Sequence, residues 1–243
     1  MQKNIIRLFV HTAVVFLFAG CNIYAPFTTK NNQNDYIEEA QKCLKNNDIG
    51  CAIDNYSLLP DGELKNQKLC VSYLSRAGFT SKLMLNVVAQ NSDKVLGNLA
   101  NALVPWTAQK MADAVSAAPF CNAVSGNVGT LFKVITLFVD CGLRMAKADV
   151  LIGSSPSDTT CTTPNPASDG QVTKADIGST GAGMCTTDIT ACAQHFVDLV
   201  GVNLSSAGLG NINDAFNQIP AGLRDPTVTA IAGRAAIQST LAN

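Results

Sequence analysis

The residues able to do chemistry in this chain of 243 are nine cysteines, two histidines and eighteen carboxylates. The cysteines are Cys21, Cys43, Cys51, Cys70, Cys121, Cys141, Cys161, Cys185 and Cys192. No CxxC occurs, and His11 and His195 are the two histidines, so the usual spacing of a structural zinc site is missing. A Ser-His-Asp or Cys-His system would have to use His195, which falls on an expected helix with no GxSxG nearby. Its expected role is structural. Paired carboxylates of the glycosidase kind depend on separation in space, so eighteen acids single out no pair. Glu38 and Glu39 are adjacent on one expected helix, point in different directions, and read as a solvated face. The run Gly178-Ser179-Thr180-Gly181-Ala182-Gly183 lacks the lysine of a phosphate-binding loop and any preceding strand. Asn165, Asp169, Gly170 and Asp176 share offsets with a calcium loop, but Ala167 takes the third position and Asp176 stands where glutamate is required. The expectation is no catalytic residue, no metal and no cofactor.

Cys21 stands apart from the other cysteines. Lys3 and Arg7 precede a nearly unbroken apolar stretch from Leu8 to Phe18. That stretch is shorter than the roughly 20 residues a spanning helix needs, and suits the apolar region of an export signal. Leu17-Phe18-Ala19-Gly20-Cys21 resembles the lipobox of bacterial lipoproteins, with Phe18 where leucine is usual. The resemblance implies removal of residues 1–20 and a diacylglycerol on the Cys21 thiol. Asn22, rather than aspartate, follows, which in lipoproteins of Gram-negative type implies transfer to the outer membrane. Two or three acyl chains anchor stably where one binds only marginally.

Lipidation of Cys21 leaves eight cysteines, an even set that can close four disulfides. Such bridges persist outside the cytosol. The sequence does not choose among the many pairings. Short spacing favours Cys43–Cys51, across the turn of a helical hairpin, and Cys185–Cys192. Without Lys3 and Arg7 the chain has 15 basic against 18 acidic residues, a charge near −3. Only 14% of residues are charged, against about a quarter in ordinary domains. No basic patch is available to neutralise phosphates, so nucleic acid is an unexpected partner.

These residues need elements to hold them. Residues 21–34 read as a lipidated cysteine and polar tether. Tyr36, Ala40, Cys43 and Leu44 fall at i, i+4, i+7 and i+8 and predict a helix over 35–46. Asn47-Asp48 breaks it, and Ile49, Ala52, Ile53 and Tyr56 predict a second helix, ended by Leu59-Pro60-Asp61-Gly62. Tyr36, Ala40, the Asn47-Asp48 turn, Ala52, Tyr56 and the following proline resemble one tetratricopeptide-type hairpin over about 35–60. The resemblance implies a protein-docking element, with Ala40 and Ala52 at the close approach of two helices. A single hairpin cannot bury its own apolar face, so later helices must cover it.

Those later helices are expected over Glu63 to Ala77, Thr80 to Gln90, Ser92 (as cap) to Val104, and Pro105 to Ala118, with Pro105 in the first turn. Trp106 is expected in the core. Asn127 to Val150 predicts a mostly buried central helix, too charged to span a membrane. Its Lys133, Thr136, Asp140, Arg144 and Lys147 form a polar stripe, a narrow wet edge with Asp140 and Arg144 placed for an ion pair. Residues 153–186 are rich in Ser, Thr, Gly and Pro and read as a polar surface loop tied down by Cys161 and Cys185. C-terminal helices over 187–243 complete the body: Thr187 to Val202, a short one near Asn213 to Ile219, and one that Asp225-Pro226 starts.

The expected fold is all-α, a disulfide-stapled bundle or array of antiparallel helical hairpins with a long Ser/Thr/Gly-rich loop. One helical domain spans 35–152, with 187–243 packing on the same body. The expected function is that of a lipid-anchored, non-enzymatic cell-envelope protein of the outer membrane that binds or scaffolds an unidentified envelope protein. The alternatives are an envelope hydrolase using carboxylates and a structural accessory of an outer-membrane complex.

Overall fold

Two polar side chains set the first helices. Asn32 caps α1 (Gln33–Lys45), accepting from the backbone N–H of Asn34, and Asp48 caps α2 (Ile49–Ser57), accepting from that of Cys51 at 2.9 Å. Asn47 between them takes a left-handed turn conformation (φ 59°) that asparagine tolerates. This computed structural model describes residues 32–80, 83, 95–155, 157–178, 183–199 and 230–241. Ala40 and Ala52 are fully buried where α1 and α2 meet, and Tyr56 fills the space beside them. Cys43 and Cys51 are bonded across the turn, as their spacing predicts. Leu59 and Leu69 close the inner face of the hairpin, with Tyr73 and Phe120 at its edge. The hairpin is therefore covered by later helices.

Next come α3 (Glu63–Arg76), α4 (Val95–Leu103), α5 (Ala108–Asn122) and α6 (Gly126–Val150). α3 packs on α2 and on α5, while α4 lies against α6. Cys70–Cys121 joins α3 to α5. Arg76 donates from Nε and Nη2 to Asp113 at 3.0 and 2.8 Å, and Gln109 adds a bond at 3.0 Å. Asp113 is only 1% exposed, so this forked pair supplies the charge that its burial requires. Tyr73 and Phe120 stack beside it, with ring centroids 5.8 Å apart. Glu63 reaches from the start of α3 to the start of α6, accepting from the N–H and hydroxyl of Ser125 at 3.1 and 3.0 Å.

α5 departs from expectation at both ends. Pro105 lies in the connection rather than in the first turn, because Thr107 adopts an extended backbone and accepts from the N–H of Lys110 at 3.1 Å. The Lys110 ammonium turns back to the carbonyl oxygens of Leu103 and Pro105, at 2.9 and 2.8 Å, and closes the end of α4. Burial there pushes its pKa down. The helix also runs past Ala118 to Asn122 with Pro119 inside it, where the proline removes one hydrogen bond near the C-terminal end.

α6 is the central element and packs against α4, α5 and α8 (Thr186–Leu199). A Cβ at Gly142 would come within 2.9 Å of Leu103 and 3.1 Å of Leu99, so glycine permits the close crossing of α4. Leu96, Leu99, Leu103, Leu143, Met145 and Phe196 are the large buried side chains around it. No helix among the described residues is long and apolar enough to cross a membrane.

After α6 the chain enters the polar loop, and much of it is held in place. β1 (Leu151–Ile152) pairs antiparallel with β2 (Thr163–Pro164), and Gly153 bridges Gly183. Asn101 on α4 accepts from the N–H of Val172 at 2.6 Å. Thr173 and Asp176 form a capping box on the short α7 (Lys174–Ile177). α9 (Ala230–Ser239) packs on α8 and α7, where buried Arg234 donates to the carbonyl of Ile177. Of the expected helix over 80–90 only Thr80 and the helical Leu83, whose N–H donates to the Thr80 hydroxyl at 3.3 Å, are described. The expected helix over 213–219, the Ser92 cap and the Asp225-Pro226 start lie outside the described residues.

The fold carries four bridges: Cys43–Cys51, Cys70–Cys121, Cys141–Cys192 and Cys161–Cys185. Peptide mapping without reductant should recover these four. Replacing Cys70 and Cys121 by alanine frees a loop of 51 residues, which should lower the unfolding free energy by roughly 4 kcal/mol in denaturant titration. An unchanged midpoint would show that the bridge does not constrain the chain.

Candidate functional site

The polar stripe on α6 is the most chemically dense place in the molecule. Its expected wet edge is instead roofed by α8. Thr136 and Asp140 are buried, and Lys133, Arg144 and Lys147 are half-buried. Thr136 satisfies its hydroxyl locally, donating to the carbonyl of Phe132 at 2.8 Å. Asp140 accepts from Arg144 Nε at 2.6 Å, the expected i, i+4 pair, and from Nε2 of His195 across the interface. Arg144 also donates through Nη1 to Asp188 on α8 at 2.8 Å, and Lys147 reaches the other oxygen of Asp188 at 3.0 Å. Two carboxylates thus face two fixed cations and one imidazole. The Cys141–Cys192 bridge spans the same seam.

Burial by itself pushes the Asp140 carboxyl up, but the hydrogen bonds from His195 and Arg144 outweigh it and hold the group below the usual carboxylate range. For Arg144, burial opposes the charge, and Asp140 and Asp188 more than restore it. An aspartate holding an imidazole is half of a nucleophilic system, in which the imidazole serves as the base. Among the described residues no serine, threonine or cysteine hydrogen-bonds His195, and neighbouring Cys192 is committed to Cys141. What the arrangement does is join α6 to α8 in one register.

The same seam adjoins a group of possible metal ligands. The ligand atoms of Cys161, Cys185 and Asp188 lie within 4.8 Å of one another. The two sulfurs are bonded to each other, and Asp188 is held by Arg144 and Lys147, whose charges oppose a cation. This donor set does not suit a metal ion.

The cysteine pairing corrects one expectation. Cys185 bonds Cys161 and Cys192 bonds Cys141, so the Cys185–Cys192 pair is not formed. Cys185 immediately precedes α8 and Cys192 lies within it. Seven helical residues separate Cα atoms by about 10 Å, beyond the roughly 7 Å a disulfide tolerates. The remaining bridges, Cys70–Cys121 among them, were left open by sequence and are settled by packing.

Other singled-out residues have structural employment. Asn165 donates to Asp176 at 2.9 Å and to the carbonyl of Ala148 at 3.1 Å, and Asp169 accepts from the N–H of Gln171 at 2.9 Å. Together with Asp149, which accepts from the N–H groups of Asp169 and Gly170 at 3.1 and 3.3 Å, they shape the loop. Glu38 and Glu39 reach Lys42 at 3.1 and 3.2 Å on the solvated side of α1. Trp106 is half-buried against the main core rather than enclosed by it. Of the glycine-rich run, Gly178 ends α7 and Gly183 bridges Gly153, and the residues between lie outside the described ones, as does Cys21. Sequence reasoning missed Asp188 and Asp113. Their one signal was composition, since buried helices carrying Arg144 and Arg76 require acids somewhere.

No known protein family, no curated protein and no solved structure significantly matches this chain.

The lowered pKa of Asp140 carries a sign. Its contribution to stability is complete above the unfolded value of about 3.9 and is lost as the pH falls through the lower folded value. Asp140→Asn should lower stability at neutral pH by about 3 kcal/mol, leaving Arg144 and His195 short of their shared acceptor. It should also flatten the acid limb of a plot of melting temperature against pH. A variant with an unaltered acid limb would remove Asp140 from the network.

Proposed function

We propose that this chain is a lipid-anchored protein of the bacterial cell envelope, held at the outer membrane through Cys21, that binds another envelope protein and catalyses no reaction. The observation that carries this reading is the complete pairing of the eight cysteines other than Cys21. Four bridges support an oxidising compartment, and the one cysteine outside them is the one in the lipobox-like sequence. The buried polar groups support the non-catalytic part. Asp113, Asp140, Asp149, Asp176 and Asp188 each serve a neighbouring helix or loop.

The tetratricopeptide-like hairpin is the proposed docking element. α1 keeps two faces. Ala40 and Cys43 turn inward, while Glu38, Gln41, Lys42, Leu44 and Lys45 are exposed, with Leu44 an apolar contact at 41% exposure. Asn32 caps α1 eleven residues after Cys21, so the tether limits the hairpin to within about 40 Å of the lipid. That range fits a partner lying at the membrane surface.

Two measurements bear on this. Cys21→Ser should abolish labelling by a radioactive or alkyne fatty acid and move the protein from the membrane to the soluble fraction, or leave an uncleaved precursor. Unchanged membrane partition would defeat the anchor. Crosslinking in intact cells should capture a partner at fixed stoichiometry. Reversing the outer charges of α1 with Glu38→Lys and Lys42→Glu should reduce capture several-fold while the disulfide map stays intact. Full capture by the variant would move the docking surface elsewhere.

A further inference from the structure

The hydroxyl groups in and beside the polar loop include two contrasting sets. In the first set each has a partner. Ser154 and Ser155 donate to Asp158 at 2.5 and 2.9 Å, Thr173 donates to Asp176 at 2.6 Å, and Thr187 donates to the carbonyl of Thr159. The second set is Thr159, Thr160, Thr162 and Thr163. All four are exposed, and none of their hydroxyls is hydrogen-bonded among the described residues. Between them Cys161 is buried and bonded to Cys185, and Thr163 pairs through its backbone with Ile152. The run is thus non-helical, pinned at its middle and at one end, with its side-chain hydroxyls in water.

We propose that this run is an acceptor site for O-linked sugar, with Thr160 and Thr162, which flank the inward-turned Cys161, as the principal acceptors. Ser/Thr-rich segments with proline are the composition such modification favours, and Pro164 and Pro166 follow directly. A pinned segment costs a transferase little ordering entropy. Charge separates the sugar from a phosphate. Residues 153–173 contain no lysine, arginine or histidine. A phosphoryl group would therefore set nearly two negative charges in a segment that holds Asp158 and no cation of its own, while Arg144 and Lys147, beyond Cys161, are already engaged by Asp188. A neutral sugar adds none. The donor is a sugar activated as a nucleotide or lipid diphosphate. The threonine oxygen attacks the anomeric carbon, the carbon–oxygen bond to the diphosphate breaks, the diphosphate leaves, and the hydroxyl proton passes to a base on the transferase.

The proposal rests on the envelope reading, since the modification is placed outside the cytoplasm. The test is mass spectrometry of the full protein purified in detergent from membranes of its native host, reduced and cut with trypsin. The fragment over 148–174 should carry hexose or N-acetylhexosamine increments that fragmentation assigns to 159–163. The increments should vanish when the four threonines are replaced by alanine, exposed changes that leave the disulfide map unaltered. A bare fragment from a chain processed at Cys21 would overturn the proposal and leave the envelope reading standing. A phosphate increment, or sugar that persists in the alanine variant, would also overturn it. A bare fragment from a chain still carrying residues 1–20 would defeat the envelope reading and this proposal together.

Discussion

α6 combines two demands that conflict. It is packed on most sides, yet it carries Asp140, Arg144 and Lys147 within two turns. Removing an ion from water costs several kcal/mol even after relaxation, and an opposite charge offsets this only when the geometry is good. α8 resolves the conflict by presenting Asp188 and His195 at the matching places, so that Asp140 meets Arg144 and His195, and Asp188 meets Arg144 and Lys147. Sliding α8 by one turn, about 5.4 Å, would separate Asp188 from Arg144 and Lys147, and His195 from Asp140. The seam therefore admits one register, and the Cys141–Cys192 bridge holds it. Much of the chain beyond α6 inherits that position. Cys185 immediately precedes α8 and pulls Cys161 and the polar loop with it, and α9 packs on α8 within the same core.

The N-terminal half uses the same combination. Arg76 and Asp113 form a forked ion pair between α3 and α5, and Cys70–Cys121 links the same two helices. Cys70–Cys121 and Cys141–Cys192 each close a loop of 51 residues. In each case the bond restricts the unfolded chain, while the buried charges penalise wrong helix positions. Under the proposed function, this alignment would let the helical body present fixed surfaces to a partner.

Local features were legible in sequence and remote ones were not. The α1–α2 hairpin follows from apolar spacing, its turn and its closing Pro-Asp-Gly stop, all within about 26 residues, and Cys43–Cys51 follows from the turn. The stripe on α6 and the Asp140–Arg144 pair are one-helix properties and were equally readable. Asp188 lies 44 residues from Arg144 and His195 lies 55 from Asp140, so no periodicity could join them. The packing of α3 on α5, past α4, was hidden for the same reason. Two misreadings had a local remedy. The expected start of a helix near Thr187 already placed Cys192 too far along it to reach Cys185. Thr107, a good cap two residues after Pro105, competed with the proline's preference for a first turn and prevailed.

The pairing of eight cysteines also bears on the ninth. In an oxidising compartment a free thiol at Cys21 would be a nucleophile tethered to a chain with four disulfides. Exchange with Cys43–Cys51, the nearest bridge in sequence, would release the turn that the bridge closes. Transfer of a diacylglyceryl group to its sulfur would convert Cys21 to a thioether, which cannot attack a disulfide. Under the proposed envelope location, the lipid would therefore act on folding as well as address: it would remove the odd sulfur before the even ones pair. The anchor and the bridges would then depend on each other chemically, although no contact between Cys21 and the helical body is required.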